Sequence, residues 1–265
     1  MDIAKSVAQA MHAVPELEVL CLAGSLGRGG GDAFSDYDFV AAVATNGRDQ
    51  VAARFREAIE DLAPVVLWRQ MGRPPALINA VLKDWTRIDL FMTDNRAFSH
   101  RAQSDLMLLH DPKDIVSTLP KTAAPPDPKG RVAYASEEFI RVLGLLSGVM
   151  GRGELHTAIW GVALEKDQLI TVMQVAGGRE TSGGALHLSK TLLPEDLEAL
   201  MALPYPGPDR GEVLRAHSAV ARAFYPRARA LAAELGINWP NAFEAATKDM
   251  LVAQCGSAAA DWFAA

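Results

Sequence analysis

Cysteine is nearly absent: Cys21 and Cys255 are the only two, and they stand far apart in the chain. That excludes a disulfide framework and a thiol-rich metal centre, both of which need several cysteines at short spacings. Both are expected to be packing residues of a protein in a reducing cytoplasm. Long apolar runs are missing too. No stretch approaches the roughly 18 to 20 apolar residues of a membrane-spanning helix, and the opening "MDIAKSVAQAMHAV" carries helical patterning rather than a uniform apolar core. No membrane partner is expected. Nor is there an excess of positive charge: 26 Lys and Arg face 32 Asp and Glu, for a net charge of −6. A duplex-binding surface needs basic residues to displace counterions from phosphates, so duplex nucleic acid is not an expected partner. Internal repeats and low-complexity tracts are also lacking.

What is present is apolar content sufficient for a sizeable core, at 49% of 265 residues. Ile3, Val7, Ala8 and Met11 recur at helical spacing, and "LEVLCLA" reads as a buried strand after Pro15. "DYDFVAAV" is a second strand, and "GRDQVAARFREAIEDLA" an amphipathic helix. "PVVLW", "ALINAVL", "RIDLFM" and "DLMLLH" add further strands. This alternation predicts an α/β domain, a mixed sheet flanked by helices, over residues 1–120. The proline-rich "LPKTAAPPDPKG" fits neither a helix interior nor a central strand, which places a linker at 121–130. Beyond it, residues 131–265 carry 3.6-residue periodicity in five segments and predict an all-α helical bundle domain. Pro226 lies inside the fourth of these and predicts a kink or break.

The chemistry concentrates in "GSLGRGGGDAFSDYDFV", Gly24 to Val40. On a strand, alternate residues share a face, so Asp36 and Asp38 present two carboxylates to one side while Tyr37 turns to the other. Like charges that close repel unless a cation lies between them. Carboxylate oxygens suit Mg²⁺, which completes its shell with water and substrate phosphates. Asp89, flanked by Ile88 and Leu90 in "RIDLF", is an acid in an apolar strand that needs a charged partner. If its strand adjoins "DYDF", three carboxylates converge. The Gly24-Ser25 turn lets backbone N–H groups approach phosphate oxygens, and Ser25 adds a hydroxyl donor.

These features together resemble the DNA polymerase beta-type nucleotidyltransferase superfamily: a Gly-Ser turn, a gap of ten residues, Asp-x-Asp, then a third acid on a neighbouring strand. The chain is most similar to the aminoglycoside (streptomycin) 6-adenylyltransferases, through "FSDYDFV", "TRIDLFM", "LMLLHDPKD", "SEEFIRVLGLLSGVMGRGEL", "GALHLSKTL" and "ARALAAELGINWP". The resemblance implies that Asp36 and Asp38 hold Mg²⁺ on a nucleoside triphosphate. It implies that Asp89 joins them around a second ion near the attacking hydroxyl, and that Gly24 and Ser25 hold the triphosphate. The implied co-substrate is ATP or another NTP, and the implied acceptor a small hydroxyl compound, such as an aminoglycoside, in a cytoplasmic monomer or homodimer. The chain departs from that family at Glu137-Glu138-Phe139-Ile140-Arg141, where the relatives carry Asn-Glu-Phe-Trp-Trp.

Four further residues enter with weaker signals. Lys190 is a candidate for the β- or γ-phosphate, and Arg28, inside the glycine loop, a candidate phosphate clamp. Glu137 and Glu138 are read as opening a helix, where acids are favoured by its dipole, with Glu138 as a candidate general base or cation anchor. His110, His156, His187 and His217 lack ligand spacing, so no zinc site is expected. Trp160 and Trp239 are expected to pack, and "GGRETSGG" is too irregular for a phosphate-binding fingerprint. The alternatives to an aminoglycoside acceptor are a lincosamide or a protein hydroxyl. The alternative to an enzyme is a catalytically silent nucleotide-binding module, against which the presence of all three acids argues.

Overall fold

The structure is a computed structural model and describes residues 3–178 and 187–264; most of "GGRETSGG" therefore lies outside the described residues. The chain divides into two compact units, Met1–Pro125 and Pro126–Ala265.

The first unit is a six-stranded mixed sheet with helices against it. Its strands are β1 (Leu17–Leu22), β2 (Tyr37–Val43), β3 (Val65–Met71), β4 (Leu77–Leu82), β5 (Arg87–Thr93) and β6 (Met107–His110). They run in the order β3-β4-β5-β2-β1-β6, and β2 lies parallel to β5 while the other neighbours are antiparallel. A parallel pair needs a crossover, here α3 (Arg48–Glu60) followed by the β3-β4 hairpin. Strand alternation sorts the core into two layers. Phe39, Ala41 and Val43 of β2, with Ile88 and Leu90 of β5, pack against Phe55 and Ile59 of α3 and Val7 and Met11 of α1 (Ile3–Met11). Val40 and Ala42 face the other way, with Val19 and Cys21, onto Phe98 of α4 (Asn95–Phe98), Val116 and Leu119. Asp36, Asp38 and Asp89 share the parity of this second layer, at the strand ends where the apolar packing stops. Burial pushes the Cys21 thiol up to about 12, which makes it a packing residue rather than a nucleophile.

The second unit is helical. Asp127 caps α5 (Pro128–Gly151) by accepting from the N–H groups of Lys129 and Gly130, with Pro128 in the first turn where no N–H is needed. The helix thus begins inside the segment expected to be linker, and Glu137 and Glu138 sit well within it rather than at its start. Their position owes nothing to the helix dipole, which acts within the first turn. Then follow α6 (Leu155–Ala176), α7 (Leu188–Thr191), α8 (Pro194–Met201), α9 (Arg210–Leu235) and α10 (Asn241–Cys255). Phe139 of α5 stacks on Phe224 of α9 at 3.8 Å between ring centres, with Tyr225 edge-on to both. Pro226 lies inside α9 without breaking it. It removes one backbone donor, but Phe224, Tyr225 and Ala228 around it are fully buried and hold the helix together.

Candidate active site

The site is built at the point where β1 turns over into β2. Ala23 donates its N–H to the carbonyl of Asp38 at 2.8 Å, which ties the turn to the strand. A single helical turn follows, α2 (Gly24–Gly27). Gly24 adopts φ +60°, and a Cβ there would lie 2.0 Å from Oδ2 of Asp38. Any side chain would displace the carboxylate, so the glycine and the acid are one steric unit.

Asp38 pairs in register with Asp89 across the parallel β2-β5 ladder, and Asp36 lies two residues before Asp38 on the same side. Burial holds the Asp38 carboxyl above the usual range, the charges of Asp36 and Asp89 push it further, and Arg28 and Arg87 oppose them. Asp36 is also raised, chiefly by burial and then by Asp89, with Arg87 pulling the other way. The three carboxylates therefore lie within electrostatic reach of one another.

Two partners of this group were not anticipated from the sequence. Asn79, opposite Asp89 on β4, donates its side-chain amide to Oδ1 of Asp89 at 2.8 Å. Arg87 forms an ion pair with Oδ1 of Asp36 and donates to the Phe34 carbonyl at 3.1 Å. That Asp36 oxygen is enclosed and takes the ion pair but no well-directed hydrogen bond. The one available signal was parity: Asn79 and Arg87 fall on the acid-bearing face of their strands. Among the described residues, no three His, Cys, Asp or Glu side chains are arranged to hold a metal ion as they stand. The donor set is nevertheless of the right chemistry for a hard dication, being all carboxylate oxygen. Occupation would require Arg87 to release Asp36.

Ser25 lies half-buried in α2 and Arg28 exposed at its end, with its charge acting on Asp38. Lys190 is exposed on α7, in the second unit. Glu138, also in that unit, accepts from Arg141 through both oxygens, at 2.7 and 2.6 Å. Those hydrogen bonds hold its carboxyl below the usual range, which weakens it as a base. His217 is buried and hydrogen-bonded to Glu165 at 2.7 Å and to the Ala158 carbonyl at 3.0 Å, a structural role. His110 meets His12 at 3.2 Å, a pairing 98 residues apart in sequence. Trp239 packs beneath Arg229 and donates to Glu244, whereas Trp160 is 76% exposed and does not pack as expected.

No family model matches the chain, and no curated protein does. Among solved structures it is similar to an aminoglycoside 6-adenyltransferase from Bacillus subtilis at 14% identity, over 97% of this chain and 100% of that one, with a TM-score of 0.44.

Proposed function

We propose that the chain is a magnesium-dependent nucleotidyltransferase that moves AMP, or another nucleoside monophosphate, from an NTP to a hydroxyl of a small molecule such as an aminoglycoside. The observation that carries the reading is the Asp38–Asp89 register, with Asp36 beside it and Gly24 pressed against the Asp38 carboxylate. A fold has no packing reason to gather three acids and then remove the side chain next to one of them. Such a group is a place prepared for positive charge.

In this reading Asp36, Asp38 and Asp89 would hold Mg²⁺, which would supply neutralisation of phosphate charge and a lowered pKa for the acceptor hydroxyl. The Gly24-Ser25 turn offers backbone N–H groups and the Ser25 hydroxyl to the triphosphate, and Arg28 adds positive charge from the end of α2. The acceptor oxygen attacks the α-phosphorus in line, the bond to the β-phosphate oxygen breaks, and pyrophosphate leaves. The hydroxyl proton passes to a carboxylate of the acid group. Asn79 fixes one oxygen of Asp89 and so restricts which oxygen is presented to the reacting groups. Glu138, bound by Arg141, is the weaker choice for that proton. Phosphoryl chemistry asks a protein mainly for position and charge neutralisation, which these residues provide.

Pyrophosphate release from the four NTPs, with Mg²⁺ and a panel of hydroxyl acceptors, tests the reading. Release is expected in the wild type and a loss of at least about a hundredfold in Asp36→Asn. Unchanged release in that variant would remove the acids from the mechanism.

A further inference from the structure

Phe34 and Trp85 are the two most exposed large hydrophobic side chains among the described residues, at 85% and 77%. They line the same cavity, of about 440 Å³, within the range of small-molecule sites. Neither ring pairs with another ring or a cation among the described residues. Trp85 also has φ 67°, an unfavourable backbone for a bulky residue. The turn around it is closed by hydrogen bonds from Trp85 N–H to the Leu82 carbonyl and from Leu82 N–H to the Thr86 carbonyl. A strained, uncovered tryptophan that lines one cavity with a second uncovered ring is a feature folding alone does not ask for.

The cavity begins where the acid group ends. Asp36, Arg87 and Leu26 of the Gly24–Gly27 turn are among the residues that line it. Its carboxylates are already engaged. Asp32 accepts from the Phe34 N–H and the Ser35 hydroxyl, Asp84 accepts from the Thr86 N–H, and Asp36 is paired with Arg87. What the cavity leaves uncovered is aromatic surface on two rings, which a planar ring covers by stacking.

We propose that this cavity is the nucleobase subsite, in which the base of the NTP stacks on Trp85 and Phe34. The inference rests on the nucleotidyltransferase reading and adds the residues that hold the nucleoside. Stacking tolerates any base, because every base has a π face.

The test measures binding, not turnover. The full chain with Mg²⁺ is titrated calorimetrically with α,β-methylene analogues of ATP, GTP, CTP and UTP, and with inorganic tripolyphosphate. Trp85→Asn removes the ring and keeps a residue at home in the left-handed region; Phe34→Ala and Trp85→Phe accompany it. Each ring deletion is expected to weaken the best nucleotide analogue by about 5- to 100-fold, to leave tripolyphosphate unchanged, and to be largely rescued in Trp85→Phe. Nucleotide affinity unchanged in both deletions, or tripolyphosphate weakened in parallel, overturns the subsite. A wild type that binds neither nucleotide nor tripolyphosphate overturns the nucleotidyltransferase reading itself.

Discussion

Replacing Asp38 by asparagine should stabilise the metal-free chain while abolishing its response to magnesium. The carboxyl is held above its ordinary range by burial and by Asp36 and Asp89. An acid raised in the folded state supports the fold fully while protonated, below about pH 3.8, and that support is lost as the pH rises through the raised value. At neutral pH the ionised group therefore works against folding. Neighbouring strands lie roughly 5 Å apart, and like charges at that separation repel by about 1 to 3 kcal/mol for effective dielectric constants between bulk water and a protein surface. Arg28 and Arg87 oppose the repulsion, and water screens the part that is not buried, so the lower end applies: ~1 kcal/mol, or roughly 3–5 °C in melting temperature for a unit of this size. Differential scanning calorimetry of wild type and Asp38→Asn, in chelator and in magnesium, checks both halves. In chelator the variant should melt higher and its stability should be flatter above pH 3.8; in magnesium only the wild type should shift upward. A variant that melts lower than wild type in chelator, or that keeps the full magnesium shift, would refute the reasoning that these acids are a charge cluster awaiting a cation.

Gly24→Ala and Gly29→Ala share a left-handed backbone, at φ +60° and +74°, but only at Gly24 would the new Cβ meet the Asp38 carboxylate; at Gly29 nothing lies within 4 Å. Both should lose about 1 to 2 kcal/mol in urea denaturation, and only Gly24→Ala should lose nucleotide binding; equal binding in the two would dissociate the turn from the site. In the second unit, Glu165 holds the buried His217 protonated to higher pH than usual, against burial that favours the neutral ring, while burial raises Glu165 itself. The two upward directions describe one proton shared in the 2.7 Å contact. Its stabilisation is complete below the unfolded histidine value and is lost as the pH rises through the folded one, at up to about 1.4 kcal/mol per pH unit above pH 6.5. His217→Gln should lose about 3 kcal/mol at neutral pH and flatten that slope; an unaltered slope in the variant would assign it to another group.

The strands and most helices were legible because each carries its own period, and period is local. Alternation of Ile88 and Leu90 around Asp89 fixed the face of that acid, and Phe39 and Ala41 did the same for Asp38. Two strands of matching parity can still meet in several registers, and the parallel β2-β5 pairing that sets Asp38 opposite Asp89 depends on the length of the α3 crossover and hairpin between them. The partners of the acids were harder to see. Arg87 reaches Asp36 and Asn79 reaches Asp89 through neighbouring strands, and composition does not distinguish an arginine that clasps a carboxylate from one in solvent. The start of α5 was misplaced for a related reason. Prolines that forbid a helix interior are favoured in a first turn, so the Asp127 cap and Pro128 read as linker until the two N–H groups donated to Asp127 are counted. Trp160 and Trp85 mark the limit of reasoning from residue type. Both are apolar enough to be expected in a core, yet both are exposed, and only Trp85 faces a cavity shared with an acid of the site. Position relative to the carboxylates, rather than exposure, is what turns a tryptophan into a candidate for binding.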